Sequence, residues 1–91
     1  MKKTVTANIA GTVFHIEEDA YDQLQRYLAG IRANFSGSAG AEEIMADIEA
    51  RIAELFNERL TGRNVVNIAD VQHVEGVMGR PEDFAGEPTG D

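Results

Sequence analysis

The chain has 91 residues, which is enough for one domain and one hydrophobic core. It carries 16 acidic and 8 basic residues, and the basic residues are scattered along the sequence. The net charge of −8 disfavours binding to nucleic acid or to an anionic membrane surface, since both require a basic face. There is no cysteine for a disulfide or thiolate metal site, which fits a reducing cytoplasm, and no apolar run approaches the roughly 18 residues of a membrane span.

Two strands are predicted at residues 4–9 and 12–16, where polar and apolar residues alternate. The two residues between them, Ala10 and Gly11, match the commonest length of a hairpin turn, although primed turns favour Gly, Asn or Asp at the first position. This turn length places all the large apolar residues except Val13 on one face. The predicted register pairs Ile9 with Thr12, Ala7 with Phe14 and Val5 with Ile16.

Two amphipathic helices follow, separated by a Gly- and Ser-rich loop at residues 36–40. Acidic residues precede or open both helices, where the helix dipole favours negative charge. Asp47 and Arg51 are spaced to form an ion pair on the second helix. We expect the helices to pack antiparallel under the apolar face of the β-hairpin. The apolar stripes are Tyr21, Leu24, Leu28, Ile31 and Phe35 in the first helix, and Ile44, Ile48, Ile52, Leu55, Phe56 and Leu60 in the second.

The last third of the chain predicts a short strand, a short helix and a tail. Val65 and Val66 form the strand, and Asn67 is an N-cap that forms a capping box with Asp70. The third helix is lined by Val71, Val74, Val77 and Met78. Gly79 is its C′ residue, and a turn over residues 81–84 follows. The predicted fold is α+β: an N-terminal β-hairpin on a helical hairpin, with a short third helix. It forms a single module over residues 1–84, and residues 85–91 are linker-like.

Two groups of polar residues are candidates for chemistry. The first is the pair of histidines, His15 and His73, which lie in no recognisable motif. The second is the set of acids on the second helix, which helical geometry spreads around its circumference. One hypothesis is a small-ligand or metal-binding domain, or an enzyme, that uses both groups; it requires them to converge in one pocket. We instead interpret them as surface residues, and predict no catalytic, cofactor-binding or metal-binding residue. The acids are Asp47, Glu49, Glu54 and Glu58.

A stripe of small residues on the second helix is a candidate contact surface. Ala46, Ala50 and Ala53 lie side by side, flanked by Asp47 and Glu54. Small side chains allow another backbone to approach closely. The stripe therefore predicts contact with a protein partner or a second copy of the chain. The alternative interpretation is that these alanines promote helix formation or admit the first helix.

Three sequence blocks carry a resemblance to a known family. They are Thr4-Val-Thr-Ala-Asn-Ile-Ala-Gly-Thr-Val-Phe-His-Ile-Glu-Glu-Asp-Ala-Tyr, Glu43-Ile-Met-Ala-Asp-Ile-Glu-Ala-Arg-Ile-Ala-Glu-Leu-Phe and Met78-Gly-Arg-Pro-Glu-Asp-Phe. Together they resemble the N-terminal cytoplasmic region of PspC-domain (phage-shock-protein C-like) proteins of Bacteroidetes-type bacteria, over about residues 2–85. The acidic helix followed by Val-x-x-Val-x-x-x-Met-Gly-x-Pro-Glu-Asp, from Val71 to Asp83, is also similar to HAAS-type signalling modules. Ala10 and Glu17 stand where family members often have Gly and Asp.

The resemblance implies a longer protein in which this module precedes a PspC domain with membrane-spanning helices. Such proteins are described as stress-responsive transcriptional regulators that act through protein contacts at the membrane. No catalytic residue is assigned to this region. The expected function is therefore a non-catalytic interaction or regulatory module, cytoplasmic and tethered to the inner membrane. The expected partner is another protein, or a second copy that docks on the second helix or on an exposed strand edge.

Overall fold

The N-terminal hairpin adopts the register predicted from its turn. Strands β1 (Thr4–Ile9) and β2 (Thr12–Glu17) pair antiparallel, with Ile9 opposite Thr12 at the turn. Ala10 has φ 54° and Gly11 has φ 86°, so both turn residues lie in the left-handed region that a primed turn requires. The Asn8 Oδ1 atom accepts a hydrogen bond from the Gly11 N–H at 3.0 Å. The register is thus confirmed, and Ala10 occupies a conformation that costs a non-glycine residue about 1 kcal/mol.

A third strand completes the sheet from the far end of the chain. The computed structural model describes residues 3–35, 37 and 39–79. Strand β3 (Val65–Val66) runs parallel to β2, so the sheet order is β1-β2-β3. Val65 pairs with His15 and Val66 with Ile16. The chain between β2 and β3 forms helices α1 (Glu18–Asn34) and α2 (Ala41–Arg59), and helix α3 (Ile68–Met78) follows β3. This order confirms the α+β class.

The core lies between the sheet and the helices. The rings of Phe14 on β2 and Phe56 on α2 meet edge to face, with centroids 5.5 Å apart. On α2, Met45 is buried, whereas Ile44 is only half-buried. The prediction that Val77 lines the apolar side of α3 is wrong, because its side chain is 49% exposed. The buried apolar residues are Ile9, Phe14, Ile16, Ala20, Leu24, Tyr27, Leu28, Ile31, Met45, Ile48, Ile52, Ala53, Leu55, Phe56, Val66, Val71 and Val74.

Helix α3 packs against both long helices. Its C-terminal end is fixed to α1, where the Tyr27 hydroxyl donates to the Gly79 carbonyl at 2.5 Å. One turn earlier, the Gln23 side-chain amide donates to the Glu75 carboxylate at 3.1 Å. Helix α3 ends at Met78, and Gly79 follows it as the C-cap residue, with φ 99°. The predicted turn at residues 81–84 and the tail at 85–91 lie outside the described residues.

None of the helices in the described part of the chain combines the length and the apolar character that crossing a membrane requires.

Candidate functional site

The outer edge of β1 is the first candidate for function. The Lys3 carbonyl accepts a hydrogen bond from the Glu18 N–H at 2.8 Å, which extends the β1–β2 ladder beyond Thr4. The backbone groups of Lys3 therefore point towards β2. In an antiparallel pair, every second residue of a strand points its N–H and C=O groups towards the neighbouring strand. Thr4, Thr6 and Asn8 accordingly direct their N–H and C=O groups away from β2. Among the described residues, β1 has no second strand neighbour.

The side chains of β1 leave this edge unprotected. From Thr4 to Ile9 the strand has no charged residue and no proline, which are the residues that usually prevent edge-to-edge pairing. Thr4, Thr6 and Asn8 are exposed on the outer face. On the inner face, Val5 and Ala7 are only half-buried, although they pack against the core. With respect to the described residues, the outer edge of β1 therefore has no strand partner, and its inner face is only partly covered.

An open groove of about 270 Å³ runs beside this edge, between β1 and α1. Ile9, Tyr21 and Leu28 provide its apolar surface. At one end, an Arg32 Nη2 atom of α1 lies 3.9 Å from a carboxylate oxygen of Glu49 on α2. These two charges offset each other, so the groove has little net charge of its own. An added strand on β1 would place its inward side chains over this groove.

The predicted contact stripe on α2 divides between surface and core. Ala46 and Ala50 are exposed, but Ala53 is only 6% exposed and packs inside the chain's own core. Asp47 and Glu54 are exposed. Arg51 binds Glu54 at 3.2 Å, one turn towards the C-terminus, whereas the predicted partner Asp47 lies one turn towards the N-terminus. Ala53 therefore stabilises the fold, and only the first two alanines offer surface to a partner.

The histidines lie on separate elements. His15 is exposed on the outer face of β2 and lines an open groove of about 480 Å³ with Asn57 and Arg63. His73 is exposed on α3. Across residues 3–35, 37 and 39–79, no three His, Asp or Glu side chains come close enough together to hold a metal ion. Of the α2 acids, Glu49 is half-buried beside Arg32, and Asp47, Glu54 and Glu58 are exposed.

An ionic cluster is centred on Asp70, whose side chain is buried and only 1% exposed. Arg63 donates two hydrogen bonds to the carboxylate, at 3.0 and 2.8 Å, and the Arg59 Nε–H donates a third at 2.9 Å. The Asn67 backbone N–H donates a fourth at 3.0 Å, while the Asn67 side chain accepts from the Asp70 N–H. This reciprocal pair is the predicted capping box, which is confirmed. The two arginines were not predicted.

The cluster determines the ionisation of its central group. Burial by itself raises the pKa of Asp70, but the hydrogen bonds from Arg63, from the Asn67 backbone and from Arg59 outweigh it and lower the pKa to about 2. The same contact raises the pKa of Arg63. Asp70 is therefore fully ionised near neutral pH. Its oxygens are occupied by groups from α2, the α2–β3 loop and the N-cap residue Asn67, so the cluster joins these segments to α3 and offers no open site for a ligand.

The sequence contains one weak indication of this cluster, namely the spacing of its charged residues. Arg59 and Arg63 are four residues apart around the end of α2, and Asp70 opens α3. Whether the two arginines converge on one carboxylate depends on how α3 docks.

Comparison with protein-family models, with curated proteins and with solved structures finds no match to this chain.

Proposed function

We propose that this chain is a non-catalytic protein-interaction module that regulates through contact, with β1 as its docking edge. The observation that supports the proposal is the row of outward-facing backbone groups at Thr4, Thr6 and Asn8, which have no strand partner among the described residues. Beside them lies a groove whose lining is partly apolar. Strand addition at such an edge gives affinity through main-chain hydrogen bonds, and side-chain pockets give selectivity.

The cellular setting of the proposal rests on the PspC-like resemblance. In this setting the module is the soluble N-terminal part of a stress-response regulator, on the cytoplasmic side of the inner membrane. The rest of the protein would hold it there. The net charge of −8 suits contact with other proteins better than direct contact with the anionic lipid surface or with DNA.

Site-specific photocrosslinking tests the docking edge. A benzophenone amino acid is placed at Thr6, which is exposed in the middle of the β1 edge. The matched control carries the same probe at Gln72, which is exposed on α3. After irradiation of cells that produce the complete protein, we expect a discrete protein adduct from position 6 and none from position 72. Equal adducts from both positions, or none from either, would contradict the proposal.

Membrane tethering has its own test. The product of the complete reading frame is fractionated, and the membranes are then washed with alkaline carbonate, which removes peripheral proteins. We expect the protein to stay with the membranes. Release into the wash would refute the tethered setting but would leave the docking edge standing.

A further inference from the structure

We infer that the partner of the β1 edge is a second copy of the same chain, paired antiparallel through β1. This inference rests on the proposed function, because it names the occupant of the same edge. The pairing would join two three-stranded sheets into one continuous sheet with a twofold axis at Thr6.

The register follows from which backbone groups of β1 have no strand partner within residues 3–35, 37 and 39–79. The outward groups of β1 belong to Thr4, Thr6 and Asn8, so a hydrogen-bonded ladder must pair members of this set with each other. A twofold axis at Thr6 places Thr6 opposite itself and Thr4 opposite Asn8 of the second copy. This register uses every outward group of the strand. In other twofold registers that place the inner faces of both copies on the same side of the sheet, some of these backbone groups have no strand partner.

The side chains of β1 fit this self-pairing. On the outer face, threonine meets threonine or asparagine, which are favourable cross-strand pairs without charge. On the inner face, Val5 of one copy lies opposite Ala7 of the other. Both residues are half-buried in the single chain, and Ala7 lines the groove together with Tyr21 and Leu28. Pairing therefore covers apolar surface that the single chain leaves partly exposed.

The charge of the chain predicts how self-association through this interface depends on salt concentration. Each copy carries a net charge of −8, so two copies repel each other at long range. The contact strand itself carries no charge, and Arg32 and Glu49 in the adjoining groove form a pair. Added salt should therefore strengthen self-association by screening the repulsion. A basic partner would show the opposite dependence, because salt would weaken its attraction to the acidic chain.

Sedimentation equilibrium of the purified chain tests the inference. We expect a monomer–dimer equilibrium whose Kd falls roughly three- to tenfold between 0.1 and 1 M NaCl, as the screening length falls from about 10 to about 3 Å. Thr6→Glu places two carboxylates opposite each other in the dimer and should raise Kd at least about tenfold. The matched control is His15→Glu. His15 lies directly opposite Thr6 on the same outer face, but on the central strand. It adds the same charge and should change Kd less than about twofold.

A second measurement does not depend on the acidic variants. The chain has no cysteine, so one introduced cysteine can form a disulfide only with another copy. Directly opposed residues of a hydrogen-bonded antiparallel pair have Cα atoms about 5.5 Å apart, within the range that disulfides span. Under mild oxidation, we expect the Thr6→Cys variant to form dimers at least about tenfold faster than His15→Cys. Far-UV circular dichroism checks that all four variants are folded.

Each alternative result has a definite meaning. A chain that stays monomeric at millimolar concentration and high salt overturns the inference. So does a dimer that Thr6→Glu and His15→Glu weaken equally, since its interface lies elsewhere. If the chain is monomeric but position 6 crosslinks to a different protein in cells, the self-pairing is refuted while the proposed docking edge survives. If position 6 yields neither self-association nor any adduct, both ideas fail.

Discussion

Replacement of Asp70 by asparagine tests the ionic cluster at the start of α3. The substitution would keep the size of the side chain but remove the charge that Arg59 and Arg63 share. In the folded chain the pKa of Asp70 falls from its usual 3.8 to about 2. At about 1.4 kcal/mol per pKa unit, this difference corresponds to about 2.5 kcal/mol of folding free energy at neutral pH.

The structure limits how large the effect can be. Removal of one partner from a fully buried ion pair costs about 3–5 kcal/mol, because the other charge stays buried. Here the Arg59 and Arg63 side chains are 35% and 40% exposed, so water can hydrate them once the carboxylate is gone. We therefore expect Asp70→Asn to lower the free energy of unfolding by about 2–3 kcal/mol at pH 7. In a chain of this size this lowers Tm by about 10–20 °C.

The pH dependence has a definite sign. Because folding lowers the pKa of Asp70, its contribution is complete above about pH 4 and is lost as the pH falls through about 2. Urea unfolding followed by circular dichroism, from pH 7 down to pH 2.5, should show the gap between the original chain and Asp70→Asn shrinking below pH 4. Asp47→Asn, at an exposed site on α2, is the matched control and should change stability by less than about 0.5 kcal/mol. A gap under about 0.5 kcal/mol at pH 7, or one that stays constant to pH 2.5, would refute this account of the cluster.

Three further substitutions are checked by the same urea unfolding at pH 7. Ala10→Asn should raise the free energy of unfolding by about 0.5–1 kcal/mol, because asparagine tolerates the φ of 54° better than alanine; a loss of stability would contradict the turn geometry. Tyr27→Phe should lower it by about 1 kcal/mol, since the Gly79 carbonyl loses its donor; an unchanged value would mean that water replaces the hydroxyl without cost. Val77→Lys should change the free energy of unfolding by less than about 0.5 kcal/mol, because Val77 is half exposed; a large loss of stability would mean that Val77 packs in the core.

The parts of the fold that depend on local rules were predictable from sequence. A two-residue turn fixes the register of its hairpin, so the Ala10-Gly11 turn was enough to pair Ile9 with Thr12. The capping box at Asn67 and Asp70 is also local, since its hydrogen bonds span three residues. In each case, residues close together in the sequence determine the local hydrogen bonds. Tertiary packing does not change them.

The parts that depend on docking between distant segments were not predictable. Strand β3 pairs with β2 through Val66 and Ile16, which are separated in the sequence by both long helices. A strand of two valines does not indicate whether it will pair parallel or antiparallel. The exposure of Val77 has a similar origin. Once Val71 and Val74 face the core, helical geometry places Val77 about 120° from Val71, so the docking angle of α3 decides its burial. The arginines around Asp70 converge only after that docking, and the burial of Ala53 in the core likewise depends on how distant segments pack.

The shared carboxylate of Asp70 also affects how the fold opens. A two-residue strand such as β3 would ordinarily fray within the native state. Here, however, it lies between Arg63 and Asp70, whose side chains are bonded to each other. Detaching β3 therefore strains or breaks this ionic link, and the segment from the end of α2 to the first turn of α3 should open as one cooperative unit. Amide hydrogens of Val66 and Val71 would then exchange with solvent through the same opening event, at similar free energies, despite belonging to different elements.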